Sequence, residues 1–441
     1  MNSQGRRRVV ISGMGLISPL GNDPQALWEA LIHRRSGVGP ASPALQAALP
    51  VGFCAEVRDF HATIEEFGPL SKEQAKAIRK GLKVMCRECQ MGVAAAERAL
   101  ADAGLRPGTF DPERVGIAFG TDYMVTMPDD FTDGILQCLD AQQQFDFTRW
   151  APEGMPKMNP LWLLKYLPNM PASHLAIYSD LRGPNNSLTL REAAANAALA
   201  EAFQTIVQGR ADAMVVGATG TRIHPIIAIH AQQQEELAQA NGDPARASRP
   251  FDRNRTGMVL GEGAGAVVLE EWQRAQGRGA AMYAEVLGGA TSSVAGPNRV
   301  AQRGQALKNA LLMTLDRCGI GPEAVGFVNA HGLSTRTSDM EEAWAIGQVF
   351  GDRRQPVPVV APKGHFGNLG AGSGLVELAA GVLALRHGRL FPALNYETPD
   401  PDCPILVVSG DDNPPPGDCF TNLSVTPQGQ ASVAMVARII A

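Results

Sequence analysis

The 441-residue chain is predicted to fold as a duplicated α/β layer sandwich, and three observations carry that prediction. Apolar strand-like runs alternate with helical periods along the whole chain. The alternation occurs twice in the same order, and most strands run out into glycine-containing turns. Such alternation implies mainly parallel sheets buried on both faces. It also places function at the carboxyl edges of the strands. The length exceeds one ordinary core and suits two domains or a duplicated one.

The first half opens with a strand over residues 9–12, a glycine-rich turn and a helix from about Gln25. A long helical pattern spans about 71–103, and RVGIAFGTDY after it reads as a strand. Residues 124–170 hold Pro, Trp and Phe with few regular periods and read as an irregular insertion: a cap, a lid or an interface. Residues 187–190 form a strand and 192–209 an Ala-rich helix. ADAMVVGATG is a buried strand, and GMVLGEGAGAVVLEEW a pair of short strands around glycines. The second half begins near AAMYAEVLGGAT. It continues with a helix (304–319), a strand (325–332), a helix (338–351), a strand (356–364) and a helix (374–387). CPILVVSG and GQASVAMVARII close it as strands. The two halves are 1–272 and 273–441.

Composition excludes several function classes. A formal net charge of −5 offers no basic field for nucleic acid. Arg6, Arg7 and Arg8 read as a solvated start ahead of a strand. No window approaches the roughly 18 apolar residues of a membrane span, so a cytoplasmic protein is expected. Seven scattered cysteines, an odd number, suit reduced and mostly buried thiols. Cys86 and Cys89 form a CxxC inside the long helical pattern, with no second CxxC. That spacing reads as packing, and no metal site is expected.

Three strand-end loops carry the chemistry: LTLREAAAN, NAHGLSTRTSD and APKGHFGNLGAGSG. The first presents Glu192 at a helix N-terminus, where backbone N–H groups and the helix dipole favour negative charge. The second offers His331, a donor or acid/base near neutrality. The third carries Lys363, His365 and Asn368 among five glycines. No Gly-Lys-Ser/Thr follows those glycines, so they are no phosphate cradle. GEGAG (261–265) precedes a strand rather than a helix and fails as a dinucleotide fingerprint.

VVISGMGLISPLG, LRGPNNSLTLREAAANAALAEA, RPFDRNRTGMVLGEGAGAVVLEE, NAHGLST and PKGHFGNLGAGSGLVELAAGVLALRHG resemble the elongating β-ketoacyl-acyl-carrier-protein synthases. The likeness covers nearly the whole chain in the family's order. It implies the thiolase fold (a duplicated αβαβα five-layer sandwich), a dimer, and acyl chains delivered on the phosphopantetheine of an acyl carrier protein, with no other cofactor. It further implies that Glu192 stands where the family keeps its nucleophilic cysteine, and that His331 matches the first family histidine. Asn368 stands in place of the second, five residues after the matching Lys363. Asp339 and Glu342 match supporting charged residues. Leu333 replaces one of two hydroxyls that hold the pantetheine arm, and Thr335 retains the other. The C-terminal gate loop reads NLSVTPQGQAS (422–432).

Carboxylate attack on a thioester would give a high-energy anhydride, so Glu192 is not expected to condense acyl groups by the cysteine route. The family contains a precedent, the chain-length factor: a synthase-like partner, usually with glutamine at this position, that pairs with an active synthase and shapes the shared tunnel. The chain resembles such a partner, as a heterodimer with an active β-ketoacyl synthase or as a homodimer. Two alternatives stay open. One is an enzyme of altered chemistry, a malonyl-carrier decarboxylase or thioester hydrolase using Glu192 and His331, with Arg191 or Lys363 pairing the glutamate. The other is a non-catalytic scaffold whose tunnel is plugged by aromatics of the 124–170 segment.

Overall fold

The computed structural model describes residues 7–240, 242–410 and 413–440. Eleven strands build its main sheet. β1 (Val9–Ile17), β2 (Val115–Thr121), β3 (Asn185–Thr189), β4 (Ala213–Thr221) and β5 (Glu262–Glu271) come first. β6 (Ala284–Ser293), β7 (Phe327–Asn329), β8 (Pro358–Val360), β9 (Leu406–Val407), β10 (Cys419–Val425) and β11 (Gln430–Ala437) follow. Their spatial order is β9-β8-β7-β10-β11-β6-β1-β5-β4-β2-β3. Outward from the β1–β6 seam, each side repeats one pattern: first strand, fifth, fourth, second, third, with β9 added at one edge. In both halves the second strand is parallel to the third and fourth, and the fifth is antiparallel to the first and fourth.

Five helices complete the layers: α1 (Arg87–Asp102), α2 (Ala194–Val207), α3 (Arg303–Cys318), α4 (Arg336–Phe350) and α5 (Ser373–His387). α2 packs on β2 and β4 of one half and on β6 and β11 of the other, and α5 likewise touches β4, β5, β7 and β10. These two helices are the middle layer. α5 is buried from Ser373 to Leu385, as a helix apolar on every face must be. α1 covers β1, β4 and β5 on one outer face, and α3, flanked by α4, covers β6, β10 and β11 on the other. The architecture is the duplicated five-layer sandwich. α1 lies close to β1 because β1 carries glycines: a Cβ on Gly15 would stand 2.2 Å from the Ala95 carbonyl oxygen and 2.6 Å from the Ala99 nitrogen.

Several expectations are corrected. The sheet is mixed rather than mainly parallel, in part because the 426–429 connection between β10 and β11 is too short for a parallel crossover. The 71–103 pattern is two helices, Lys72–Gly81 and α1, separated by the tight turn Leu82–Val84 and extended Met85. Cys86 is therefore a helix N-cap rather than a mid-helix residue. The expected strand pair around GEGAG is the single strand β5, preceded by isolated bridges from Met258, Leu260 and Gly261. CPILVVSG shrinks to two residues of strand, while the 422–432 loop is largely the β10–β11 hairpin. Arg6 lies outside the described residues. Arg7 pairs with Asp212 at 3.1 Å, and Arg8 pairs with Glu285 at 2.7 Å while stacking on Trp272, so neither is a solvated start.

The insertion is a chain of short helical turns from Pro128 to Tyr166. Its aromatics pack on one another, with Phe131 and Trp162 centroids 5.4 Å apart and Phe145 and Trp150 6.0 Å apart, while Phe147 is exposed. All seven cysteines are free thiols.

Candidate functional site

The three loops meet. Glu192 lies in the turn Arg191–Ala193 between β3 and α2, where Arg191 takes a positive φ of 54°. His331 follows β7, and Lys363 opens the helical turn Lys363–Phe366 after β8. Asn368 is fixed by its backbone: its N–H donates to the Val259 carbonyl (2.8 Å), and its carbonyl accepts from Gly261 N (3.0 Å). Glu192, His331, Lys363 and Asn368 are all buried.

Glu192 is held by a partner absent from the expectations. Arg222, just past β4, donates from Nη2 to Glu192 Oε1 at 2.5 Å and sets Nη1 2.7 Å from Asp122 Oδ2, off the line of a hydrogen bond. The guanidinium is 1% exposed, so a buried chain of charges runs Asp122–Arg222–Glu192. Asn368 Nδ2 donates to the same Glu192 oxygen at 3.0 Å, and Arg191 Nε lies 3.8 Å from Oε2. Burial alone would push this carboxyl up. The charges of Arg222 and Arg191 and the Asn368 bond outweigh it, and Glu192 is held well below the usual carboxylate range. Asp122, with burial dominant and Glu192 nearby, is pushed up despite Arg222.

Lys363 does not pair with Glu192. Its Nζ is ion-paired with the buried Glu377, donates to the His331 carbonyl at 2.8 Å and faces His331 Nδ1 at 3.2 Å. Burial and that ammonium push His331 well below the ordinary imidazole value. With Nδ1 facing a cation, the neutral ring carries its proton on Nε2. Glu342 accepts from His331 N (2.7 Å) and Gly332 N (2.8 Å), and burial pushes it up to about 8. Asp339 accepts from Ser334 N (3.0 Å) and Phe251 N (2.8 Å), and burial takes it up to about 6. Both carboxyls fix the His331 loop. His365 takes no part: its ring bridges the Arg35 and Pro392 carbonyls, each at 3.0 Å.

Around Glu192 the open space is about 10 Å³, bordered by Arg222, Met258, His331, Leu333, Asn368 and Pro427 among others. That is room for about one water. No cysteine borders it, and neither do the aromatics of the insertion. Gln234 and Glu235 border both this space and an outer groove of about 330 Å³ that includes Arg303 and Thr335. Thr335 caps α4, its Oγ1 accepting from Ser338 N at 3.3 Å, which leaves the hydroxyl proton free to donate. Arg191, which also borders the inner space, donates to Gln234 (2.7 Å) and to Gln428 of the hairpin turn (3.0 Å).

Sequence reasoning missed Arg222, Asp122 and Glu377. A signal existed for the first two, since each directly follows a strand's carboxyl end. Among the described residues, no cluster of three or more His, Cys, Asp or Glu side chains has a metal-binding arrangement, and no helix is long and apolar enough to cross a membrane.

Comparison with known proteins agrees with this geometry. Residues 6–275 match the N-terminal domain of β-ketoacyl synthase and residues 283–397 its C-terminal domain. The 3-oxoacyl-(acyl-carrier-protein) synthase 2 of Synechocystis is 34% identical over 92% of each chain. The granaticin polyketide putative β-ketoacyl synthase 1 of Streptomyces violaceoruber is 32% identical over 91% of each. Among solved structures, the ishigamide ketosynthase/chain length factor superposes with a TM-score of 0.83 at 26% identity, covering 99% of this chain and 100% of that one. A type II polyketide synthase acyl-carrier protein in complex with its ketosynthase gives 0.81 at 25% identity, with the same coverage. With its strand order, its three converging loops and these matches, the chain belongs to the β-ketoacyl synthase family.

Proposed function

We propose that this chain is a non-condensing member of its family, a chain-length-factor-like partner of a cysteine-bearing β-ketoacyl synthase in fatty acid or polyketide synthesis. The observation that carries the reading is the ion pair between Glu192 and Arg222 in a space with no thiol and almost no volume. A carboxylate held this acidic is a poor nucleophile and a weak general base, because proton transfer efficiency falls as the base weakens. The decarboxylase or hydrolase alternative needs Glu192 free and a chamber for a malonyl or acyl group, and this geometry favours neither. On the same reading, His331 and Lys363 are a retained family pair held in a neutral ring–cation contact. Asn368 serves as a clamp on Glu192, and Thr335 is a donor toward a phosphopantetheine arm in the outer groove. The halves 1–272 and 273–441 are the duplicated units, and the protein works in the cytoplasm.

A heterodimeric partner is supported by an unpaired edge. β3 is an edge strand, exposed at Asn185, Asn186 and Thr189. The insertion exposes Leu136, Phe147, Met155, Leu161 and Leu163. An open edge strand and exposed apolar side chains are each surfaces that partner burial would satisfy. The second reading, a scaffold that takes no acyl chain, is favoured by the filled chamber, although its filler is Arg222 rather than aromatics.

The test is reconstitution with malonyl-acyl-carrier protein. The expected result is no chain extension by the purified chain alone, and extension when it is co-expressed with a cysteine-bearing synthase whose product length it alters. A homodimer that extends acyl chains unaided contradicts the proposal. Failure of a long acyl-pantetheine to bind the co-expressed pair at this chain's groove favours the scaffold.

A further inference from the structure

The corrected helix boundary brings three sulfurs together. Cys86 caps α1 and Cys89 lies in its first turn, with their Sγ atoms 3.6 Å apart. Met124, at the root of the insertion, puts its Sδ 3.7 Å from Cys86 and 3.8 Å from Cys89. The triangle is nearly equilateral, and a point equidistant from its corners lies ~2.1 Å from each sulfur, close to the ~2.3 Å of a metal–thiolate bond. From these contacts we infer that Cys86, Cys89 and Met124 form a trigonal site for a soft monovalent cation of the copper(I) class.

The donor set decides the metal. Two thiolates and a thioether select copper(I) over hard cations. Structural zinc wants four ligands; the buried Glu88 side chain hydrogen-bonds Cys86, but among the described residues no group of three or more His, Cys, Asp or Glu has a metal-binding arrangement. The cation enters from the partly exposed Cys86 and Met124, while Cys89 is fully buried. Binding forms two Cu–S(thiolate) bonds and one Cu–S(thioether) bond and releases the two thiol protons; no electron is transferred. The product carries one net negative charge, set at the N-terminus of a sixteen-residue helix whose capping residue makes no side-chain cap bond of its own. Cys86 N also donates to the Lys165 carbonyl at 3.3 Å. Met124 opens the insertion and Lys165 lies near its far end, so the bound cation would fasten that segment to α1.

The test is a titration of the reduced, purified chain with copper(I) against bicinchoninate at neutral pH, followed by X-ray absorption. Wild type is expected to take one equivalent, with three sulfur neighbours at about 2.2–2.3 Å. Cys86→Ser/Cys89→Ser should lose more than about 100-fold in apparent affinity, beyond the 10–100-fold typical of losing an outer-shell partner. Met124→Leu conserves volume and should fold, so it tests the third ligand independently; about a tenfold loss is expected. Equal copper uptake by wild type and the double serine variant overturns the site. Unchanged affinity in Met124→Leu, or two sulfur neighbours instead of three, overturns the trigonal assignment.

Discussion

At the residue scale the molecule is organised by the pairing of Glu192 with Arg222. A buried ion pair adds little net stability, but removing one partner leaves an uncompensated charge at a cost of about 3–5 kcal/mol. Arg222→Met strips both Glu192 and Asp122 of their cation and is expected to lower stability by about that much in urea denaturation. Adding Glu192→Gln to that variant should recover part of the loss, since the second change removes the stranded charge. A double variant no more stable than Arg222→Met alone would contradict the buried chain of charges. Glu192 and His331 were legible in the sequence because each follows a strand inside a recognisable loop. Arg222 also directly follows a strand, but its role was not legible, because it depends on a partner thirty residues away that folding delivers. Likewise, the sequence offers Lys363 as a counter-ion for Glu192, and only the packing of α5 shows that Glu377 has taken it.

At the element scale the site depends on how closely helices approach the sheet. Gly15→Ala gains up to about 1 kcal/mol of strand preference. It also drives a methyl group into the backbone of α1, and overpacking of this kind costs about 1–3 kcal/mol. The clash involves backbone atoms that cannot rotate away, so net destabilisation is expected in a thermal melt; a stabilised variant would show that α1 can slide outward. Element order was legible from periodicity, and boundaries were not. The helix break is marked by Arg79, Lys80 and Gly81, a basic last turn ending in glycine, but the apolar positions that resume at Leu82, Val84 and Met85 carry the helical pattern across it. GQASVAMVARII reads as a strand and is β11, whereas β10 does not stand out, because the family resemblance assigns 422–432 to a gate loop. Each strand is defined by its partners, β7 and β6, which lie far away in sequence.

At the scale of the whole molecule, duplication sets the strand order, and buried carboxyls set the response to pH. Glu97 of α1 is fully desolvated with one donor, Ser179 Oγ at 2.7 Å, and burial pushes it up to about 7. A raised carboxyl contributes stability below its unfolded value of about 4.3, and that contribution is lost as pH rises through about 7. The amount is on the order of 3 kcal/mol. Glu97→Gln does not titrate, so the stability difference between wild type and variant should move in the variant's favour between pH 5 and pH 8. A difference independent of pH would place the Glu97 proton elsewhere. The repeated alternation was legible as duplication, but the seam between β1 and β6 was not, since two strands some 275 residues apart carry no mark of their pairing.

The central claim, that Glu192 is a clamped carboxylate and carries no acyl group, is met most directly by intact-protein mass spectrometry after incubation with acyl- and malonyl-loaded carrier protein. The unmodified mass is predicted at every time point, alone or beside a synthase partner. A stable adduct mapped to the peptide spanning Arg191–Ala193 would contradict it.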